Sequence, residues 1–487
     1  MFADAYGHIQ DRYIEPVAIG PLAMAGLKQL LATQNDPSLR LQVVGTKVVL
    51  MAQGAKLAEF ARPDRHDAKG WARVTADAIE RAAAVEPGLR AEPAEAIYQE
   101  VFDGALALLD PFSRYASAEA AAQQRAAREG FDGLGISIQT VDGVTRVVEV
   151  MEGTPAQGGG LEVGDVITHV DGHPLAGLDS TAVIERLRGP AGSLAVLDLR
   201  RPVPGQPRPP PRILQVKVRR AHVVPVTVHT RLDGNLAVIR ISSFNRNTTR
   251  DLERQYRQLP IGRVRGLILD LRDNPGGLLD QAVLTADLFL DSGVVISTFG
   301  RHPAASSVFI ADRHRIAAGL PIVLLTNGGS ASSAEMLAAS LQDRGRAVVV
   351  GTVTHGKGSV QNLARLPNGG ELVITWSRLH APSGYILDGL GVLPTVCTAA
   401  ANKNGNAEPI AARLDDYAMQ APRWQRYNHV DPALAATLRA ACPAGPADEA
   451  RDMELAKNLL RHPALYRRAL RPAPGTTAAG TASHATL

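Results

Sequence analysis

Apolar residues follow three different spacings along the 487-residue chain, and each spacing predicts a different kind of structure. In residues 1–127 they recur every three or four positions, as in PLAMAGLKQLLA and PAEAIYQEVFDGALALL, which is the spacing of amphipathic helices. One run between these two, LQVVGTKVVLMA, has the composition of a strand. We therefore expect residues 1–127 to form a mostly helical N-terminal region.

Residues 128–204 contain short strand-like runs that are separated by glycine turns, followed by the helical run STAVIERLRG. This pattern of short strands and glycine turns predicts a small β-rich domain. Residues 205–212 are rich in proline, which cannot donate a hydrogen bond to a sheet. We expect an exposed loop there, either between two strands of the β-rich domain or at its exit.

In residues 213–400, buried strand-like runs such as LAVIRI, GLILDLR and PIVLLT alternate with helical runs. Alternation of this kind predicts an α/β domain with a largely parallel sheet. Residues 401–470 are rich in Ala and Arg and have helical spacing, whereas residues 471–487, with the sequence RPAPGTTAAGTASHATL, are predicted to be disordered.

Composition excludes several classes of partner. The apolar fraction of 45% and the charged fraction of 21% are those of an ordinary globular protein. A net charge of +4 is small for this length and gives no reason to expect nucleic-acid binding. No apolar run reaches the roughly 18 residues of a membrane helix, so membrane association is not evident.

The N-terminus lacks the basic start, apolar centre and cleavage site of a secretory signal. The sequence is therefore compatible with a cytosolic protein or with a true start upstream of Met1. Cys397 and Cys442 are the only cysteines. They form either a disulfide in an oxidising compartment or two free thiols, and spacing does not decide between them.

Three serines crowd one helix start, in the segment LLTNGGSASSAEMLAASLQDRG at residues 324–345. Ser330, Ser332 and Ser333 can serve as helix caps, or one of them can be a nucleophile. The GGSAS sequence is not a nucleophile elbow, because its fifth residue is Ser332 rather than Gly. The GTVTHGKG sequence that follows lacks the Ser or Thr that a phosphate-binding loop needs after Lys357.

Serine and lysine are the combination that remains. Burial can make a lysine a general base, and Lys357 lies between two glycines in a segment that is poor in charge. Serines that open a helix lie where N–H groups favour an oxyanion. The alternative is that the serines cap the helix and Lys357 is an exposed turn residue. A Ser-His-Asp triad also stays open, with His355 as the nearest histidine, while no zinc motif is present.

Two glycine-rich segments are further candidates. Residues 270–277, DLRDNPGG, follow a buried strand, where glycines let the backbone approach a ligand closely, although an ordinary turn explains them equally well. Residues 133–136, GLGI, open a strand in the β-rich domain. Their N–H groups can hold a peptide carboxylate while the strand edge pairs with the peptide, but a pattern of four residues is weak.

Six motifs in order resemble those of the carboxy-terminal processing peptidases, which are serine proteases with a Ser-Lys mechanism. The motifs are YIEPV, LDPFSRYASAEA, FDGLGISI, GLILDLRDNPGG, NGGSASSAEMLAASLQDRGRAVVVGTVTHGKGSVQ and APSGYILDGLGVLPTV. Three positions depart from the usual pattern: Phe112 replaces a His, His355 replaces an aromatic residue, and Tyr385 replaces an Arg. None of these departures removes a catalytic group.

The resemblance implies a role for each candidate residue. Ser332 would be the nucleophile, Lys357 the general base and Gln361 the residue that orients it. Ser330 would be the helix cap. The implied oxyanion hole consists of Gly276 or Gly277 together with the N–H of Ser333, and the implied site for a peptide C-terminus consists of Gly133, Leu134, Gly135 and Ile136.

The resemblance also implies a fold and a function. We expect an α/β multidomain protein with a crotonase-like (ClpP/crotonase) protease core in residues 213–400, an inserted PDZ domain in residues 128–204 and a helical N-terminal region. It would be a serine endopeptidase that cleaves proteins near their C-termini and needs no metal or cofactor. Its PDZ domain would bind substrate C-termini, with apolar tails preferred, and an activating adaptor is a candidate partner.

The family works in the periplasm or outside the cell, so we expect a leader upstream of this sequence. Two other functions stay open. One is a catalytically silent PDZ scaffold. The other is an acyl-CoA enzyme on a crotonase-like core, which would leave the PDZ domain and Lys357 without a role.

Overall fold

A computed structural model describes most of the chain, namely residues 1–34, 37–202, 211–312, 316–399, 409–445 and 448–470. The predicted proline-rich loop lies almost entirely outside these described residues. The predicted disordered tail, residues 471–487, lies wholly outside them.

The N-terminal region packs five helices against a small sheet. The helices are α1 (Phe2–Arg12), α2 (Ile19–Ala32), α3 (Ala68–Val85), α4 (Pro87–Ala91) and α5 (Ala94–Leu106). The strands, which form an antiparallel sheet in sequence order, are β1 (Arg40–Val44), β2 (Lys47–Ala52) and β3 (Ala55–Ala61). Fully buried Tyr6, Trp71 and Phe102 anchor its core. The run LQVVGTKVVLMA, predicted to be a strand, forms most of β1 and all of β2. Strand β3 was not predicted, and it is largely exposed.

A short strand and a helix lead from this region into the β-rich domain, namely β4 (Arg114–Ala116) and α6 (Ala118–Glu129). The β-rich domain contains β5 (Phe131–Gly133), β6 (Ile136–Val141), β7 (Val144–Val150), α7 (Pro155–Gly158), β8 (Val166–Val170), β9 (His173–Pro174), α8 (Ser180–Leu187), β10 (Leu194–Arg201), β11 (Arg212–Arg219) and β12 (Ala221–Val223). Its main sheet has the order β11-β10-β8-β7-β6, so β6 is an edge strand.

The predicted boundary of the β-rich domain at residue 204 is wrong. Strand β11, assigned from sequence to the α/β core, pairs antiparallel with β10 along eight residues and completes the sheet of the β-rich domain. The proline-rich segment therefore connects two strands of this domain. Strands β5 and β12, one at each end of the domain, pair with each other as a two-stranded ribbon.

After β12, the described residues of the core form thirteen β-strands and α-helices. They are β13 (Val228–Asp233), β14 (Leu236–Ile241), α9 (Thr248–Gln258), β15 (Gly266–Asp270), α10 (Leu279–Asp287), β16 (Gly293–Phe299), β17 (Ser307–Ala311), β18 (Ile322–Thr326), α11 (Ser333–Asp343), β19 (Val348–Gly351), β20 (Ser359–Arg365), β21 (Glu371–His380) and β22 (Val396–Cys397). One sheet has the order β13-β14-β15-β18-β19-β22, and all its neighbours except the β13–β14 pair are parallel. The predicted largely parallel sheet is confirmed.

Both faces of the parallel sheet are covered. Leu267, Leu269 and Leu324 face the cluster that includes α10 and α11, while Ile268 and Val323 face the C-terminal helices. Burial on both faces explains why these strands are continuous apolar runs without alternation. The C-terminal helices are α12 (Ile410–Trp424), α13 (Pro432–Arg439), α14 (Glu449–Arg461) and α15 (Pro463–Ala469).

A second core sheet has the order β17-β16-β21-β20, in antiparallel pairing. Strand β4 of the N-terminal region pairs with β21, so the N-terminal region and the β20–β21 hairpin share one sheet. On the parallel sheet, a disulfide joins Cys397 of β22 to Cys442, which follows α13. It fastens the C-terminal helices to the edge of the core.

Candidate active site

Three loops meet at the carboxyl ends of neighbouring parallel strands. Strand β15 leads into Gly276 and Gly277, β18 leads into the serine segment, and β19 leads into Lys357. Because parallel strands end at the same edge of a sheet, their loops form one crevice, where ligands of α/β proteins commonly bind. The topology thus brings together segments that are far apart in the sequence.

Ser332 has an unusual backbone conformation. It occupies the position before α11 with φ 52° and ψ −115°, and it is partly exposed between buried neighbours. A positive φ is uncommon for a residue other than glycine, and such strain concentrates at functional sites. The geometry presents the Ser332 side chain to solvent at the start of a helix.

The other two serines have structural contacts. The Ser330 hydroxyl donates to the Leu271 carbonyl at 2.8 Å and accepts the N–H of Asn327 at 3.0 Å. It therefore joins the loop after β15 to the loop after β18. The expectation that Ser330 caps the helix is wrong, because α11 begins at Ser333 and Ser332 takes the cap position. The Ser333 hydroxyl donates to the carbonyl of Gly277 at 3.0 Å.

Glu335 is the residue that the sequence analysis missed. Its side chain is completely buried and accepts four hydrogen bonds from the two loops around it. Oε2 accepts the main-chain N–H of Ser332 and that of Lys357, each at 2.8 Å. Oε1 accepts the Gly356 N–H at 2.6 Å and the Thr354 hydroxyl at 2.5 Å.

One carboxylate oxygen therefore joins the backbones of Ser332 and Lys357, which lie within two hydrogen-bond lengths of each other. Burial raises the pKa of Glu335, and the four hydrogen bonds oppose that rise. Because all four partners donate, the ionised carboxylate satisfies every one of them. The pattern Ser-x-x-Glu at a helix start, a capping box, was the signal in the sequence.

Lys357 is partly buried, and its surroundings disfavour the ammonium. Burial lowers its pKa, as does the charge of Arg114, while Glu335 and Asp110 act in the opposite direction. The ammonium nitrogen lies 5.2 Å from the centre of the Phe112 ring. A lysine with a lowered pKa is able to act as a general base nearer to neutral pH.

Two other candidates, Gln361 and His355, form no hydrogen bond with the Lys357 side chain in the part of the chain that the structure describes. The Gln361 amide donates to the Ser359 hydroxyl at 2.9 Å, and among the described residues no hydrogen bond joins it to Lys357. The His355 side chain is exposed, and its main-chain N–H donates to the Ser330 carbonyl at 2.9 Å. The structure therefore brings Ser332 and Lys357 together more directly than it does Gln361.

The glycine pair packs against the serine segment. A Cβ atom on Gly276 would lie 2.8 Å from Cβ of Ser332 and 3.0 Å from the Ser333 nitrogen, so only glycine fits there. The N–H of Gly276 donates to the Asn274 side chain at 2.8 Å. Gly277 has φ 141°, and a Cβ there would lie 2.1 Å from the Phe244 carbonyl oxygen.

The GLGI segment lies at the edge of the β-rich domain. Gly133 ends β5, Leu134 is buried, and Ile136 begins the edge strand β6. Gly135 has φ 84°, and a Cβ there would lie 2.3 Å from the Thr154 side chain. The segment therefore has an open strand edge and a turn that requires glycine.

In the described part of the chain, no group of three or more His, Cys, Asp or Glu side chains is arranged to hold a metal ion. Among the same residues, no helix is both long and apolar enough to cross a membrane.

Two family models match parts of the chain. The model of Peptidase family S41 matches residues 235–398, which include Gly277, Ser332 and Lys357. A PDZ domain model matches residues 146–201 in the β-rich domain.

The chain is also similar to known proteases. It is 35% identical over 305 residues to a carboxy-terminal-processing protease of Bartonella bacilliformis, covering 62% of this chain and 69% of that protein. It is 30% identical over 304 residues to the carboxy-terminal processing protease CtpA of Bacillus subtilis, covering 61% of this chain and 64% of the relative. A solved structure of a photosystem II D1 C-terminal processing protease has 26% identity and a TM-score of 0.40, covering 81% of this chain and 91% of that one.

Proposed function

The chain belongs to the family of carboxy-terminal-processing proteases, which are serine-type peptidases, and from that premise we propose that it cleaves protein substrates near their C-termini through a Ser-Lys mechanism. One observation carries the proposal. Glu335 accepts the N–H groups of both Ser332 and Lys357 on a single oxygen, so the proposed nucleophile and base are positioned by the same buried carboxylate.

In the proposed reaction, the neutral amine of Lys357 accepts the proton of the Ser332 hydroxyl as the serine oxygen attacks the scissile carbonyl carbon. The tetrahedral intermediate collapses to an acyl-enzyme, and the protonated lysine returns its proton to the departing amine. Water then attacks the ester, again with Lys357 as base, and releases the new C-terminus. Gln361 remains a candidate to orient Lys357, but its amide must first leave Ser359.

The oxyanion of the intermediate needs N–H donors that are not already engaged. The N–H of Gly276 is bonded to Asn274, which favours Gly277 as the donor and leaves Gly276 to provide close packing. The N–H of Ser333 lies at the start of α11, where the helix dipole favours negative charge. We therefore assign Gly277 and Ser333 to the oxyanion hole.

The PDZ domain is proposed to bind the free C-terminus of the substrate. Strand β6 is the edge of its sheet and is open to pairing with an extended peptide. The segment at the start of that strand, where N–H groups can bind a carboxylate, consists of Gly133, Leu134, Gly135 and Ile136. Apolar tails are the expected ligands, and an activating adaptor remains a candidate partner.

Two further proposals concern the fold of the α/β core and the cellular location of the protein. The arrangement of a parallel sheet, a covering antiparallel sheet and helices supports a crotonase-like core. The disulfide between Cys397 and Cys442 supports an oxidising location, in the periplasm or outside the cell, because cytosolic thiols are normally kept reduced.

The test is to incubate the purified protein and its Ser332→Ala variant with an unfolded protein that ends in an apolar tail, and to follow the fragments by mass spectrometry. We expect cleavage by the parent and none by the variant. If neither protein cleaves, a PDZ scaffold without catalysis replaces this proposal. Binding of coenzyme A by the parent would instead support an acyl-CoA enzyme.

A further inference from the structure

A turn of the N-terminal region lies against the proposed base. Residues 107–113 join α5 to β4, and within them Phe112 places its ring centre 5.2 Å from Nζ of Lys357. In the part of the chain that the structure describes, the Lys357 ammonium forms neither a hydrogen bond nor an ion pair. The aromatic contact is therefore the specific interaction that holds the end of this side chain.

The backbone of the turn is fixed by one carboxylate. Oδ1 of Asp110 accepts the N–H of Phe112 at 2.8 Å and that of Ser113 at 3.0 Å. The same oxygen accepts the hydroxyl of Thr375 at 2.9 Å, and the Thr375 N–H donates to the Ser113 hydroxyl at 3.1 Å. Because Thr375 belongs to β21, the turn is attached to the hairpin that follows Lys357.

Strand pairing also fixes the position of Phe112 relative to Lys357. Strand β4 pairs with β21 at Tyr115 and Leu372, and β21 pairs with β20, which begins two residues after Lys357. The ring and the base are thus carried by connected parts of one sheet. Both sides of the contact are therefore held by paired strands.

We propose that Phe112 is a positioning residue for the general base, and that its ring both holds the Lys357 ammonium and keeps water from that side of it. The inference rests on the proposed function, in which Lys357 accepts the proton of Ser332. It assigns a part of the active centre to the N-terminal region, outside the segment that carries the nucleophile and the base.

The ring acts on the two forms of the lysine in two ways. Its negative face attracts the ammonium, whereas its bulk excludes the water that would solvate the same charge. Unlike an imidazole at this position, it does not itself gain a charge. The charged groups around the amine are Arg114, which lowers the pKa of Lys357, and Asp110 and Glu335, which raise it.

Three substitutions separate these effects. Phe112→Leu keeps the site apolar but removes the attraction of the ring, so Lys357 should lose its proton at a pH lower by about half a unit. Phe112→Ala admits water, so the midpoint should move upwards. Phe112→His adds a second titrating group, which should split or broaden the transition.

The measurement is the NMR titration of lysine side chains labelled with carbon-13, carried out in the Ser332→Ala background so that no turnover is needed. The chain has eight lysines, and the signal absent from a Lys357→Arg variant identifies the one of interest. Phe112→Leu should also remove the ring-current shift of the Lys357 methylene next to the amine. Unchanged shifts and midpoints in both the Leu and the Ala variants would overturn the inference.

Phe131→Leu is the matched control. Phe131 also has a cation over its ring, the guanidinium of Arg188 at 5.3 Å, but this contact belongs to the PDZ domain. The control should leave the Lys357 titration unchanged. An equal shift in the Phe131 variant would mean that the effect of Phe112 is not local, and would also overturn the inference.

The pH dependence of cleavage separates this inference from the proposed function. If the parent cleaves, the acid limb of kcat/KM should move with the NMR midpoint in each Phe112 variant. A purely structural role would lower the rate equally at every pH and leave the midpoint fixed, which contradicts the inference. Shifted NMR midpoints in a protein that does not cleave would support the aromatic contact and overturn the proposed function alone.

Discussion

In the α/β core, the buried carboxylate of Glu335 joins the segments of the proposed nucleophile and base, and each of its oxygens accepts two hydrogen bonds. In the PDZ domain, the strands at its two ends, β5 and β12, are joined by an ion pair between His222 and Asp132, whose side chains are 49% and 44% exposed. The first contact is shielded from water and the second is not.

The two contacts differ in how firmly they hold the residues around them. A buried charge whose partners are removed destabilises its surroundings strongly, so the contacts of Glu335 keep the reacting groups in one geometry. Exposed ion pairs contribute little, so the ribbon of β5 and β12 gains little stability from this contact. Chemistry needs fixed atoms, whereas capture of a peptide tail tolerates movement.

The largest expected effect comes from Glu335. Glu335→Gln replaces one accepting oxygen with a donor that must face another donor, and this displaces Ser332 or Lys357. Because small displacements of catalytic groups are costly, kcat/KM should fall by about 10²-fold or more. Thermal unfolding should also move to lower temperature. Activity within a few-fold of the parent would contradict the assigned role.

Asp165 of the PDZ domain provides the matched comparison. It is also completely buried, and it accepts hydrogen bonds from Arg201 at 2.7 and 2.9 Å. Asp165→Asn should destabilise the PDZ domain by about 3 kcal/mol, as expected when a buried ion pair is broken. Cleavage of long substrates should change, whereas cleavage of a short peptide with an amidated C-terminus should not. Equal losses for both substrates would show that the two regions are not independent.

The disulfide between β22 and the segment after α13 should stabilise the α/β core. Replacing both Cys397 and Cys442 with Ser should lower the free energy of unfolding by about 2–4 kcal/mol, because the bridge spans 45 residues. Denaturant unfolding measures the loss, and the parent under reducing conditions should match the variant. If reduction leaves the stability of the parent unchanged, the bridge does not fasten the C-terminal helices.

The smallest expected effect is at His222. Both of its ring nitrogens face acceptors, Nδ1 the Asp132 carboxylate at 2.9 Å and Nε2 the Glu129 carbonyl at 3.0 Å, so only the charged ring satisfies both. Asp132 and the Glu129 carbonyl raise the pKa of His222, whereas Arg246 acts in the opposite direction. The stability that His222 contributes through its charged ring is therefore fully present below the ordinary histidine pKa. It is lost as the pH rises through the raised pKa of His222.

At the acid end, the hydrogen bond from His222 lowers the pKa of Asp132, so the same contact is lost as the pH falls through that lowered value. Between these limits the ion pair should contribute less than about 1 kcal/mol. The protection factors of the β5 and β12 amides, in which the intrinsic pH dependence of hydrogen exchange is divided out, should fall as the pH rises through the raised histidine value, and His222→Gln should remove this fall. Protection factors that stay constant with pH in the parent would contradict it.

Sequence patterns pointed to the proposed nucleophile and base because family motifs and strand order are local signals. Ser332 and Lys357 were identified in this way, and the loops that carry them meet at one sheet edge as the α/β pattern requires. Glu335 was missed although Ser-x-x-Glu is readable, because the capping pattern does not reveal that the same carboxylate reaches a second loop. The contact of Phe112 with Lys357 joins residues 245 positions apart, and no local pattern predicts it.

Boundaries were less predictable than elements. Strand β11 follows the proline-rich segment, and its apolar residues do not show which sheet it joins; the answer lies in its pairing with β10. Similarly, the sequence could not show that Ser330 is not a helix cap. Its hydroxyl donates to the carbonyl of Leu271, which lies in the loop after β15 and is distant in sequence. In both cases the deciding contact is distant in sequence.

The proposed mechanism has Ser332 attack with Lys357 as its neutral base. A fluorophosphonate probe tests it, because the serine oxygen displaces fluoride and becomes phosphonylated; the rate is measured across pH and the adduct is located by mass spectrometry. We expect one adduct, on Ser332, with a rate that rises through a midpoint below the ordinary lysine value, because burial lowers the pKa of Lys357. Lys357→Arg should abolish labelling, since arginine keeps its proton. An adduct on Ser330 or Ser333, or full labelling of the Lys357→Arg variant, would contradict the account.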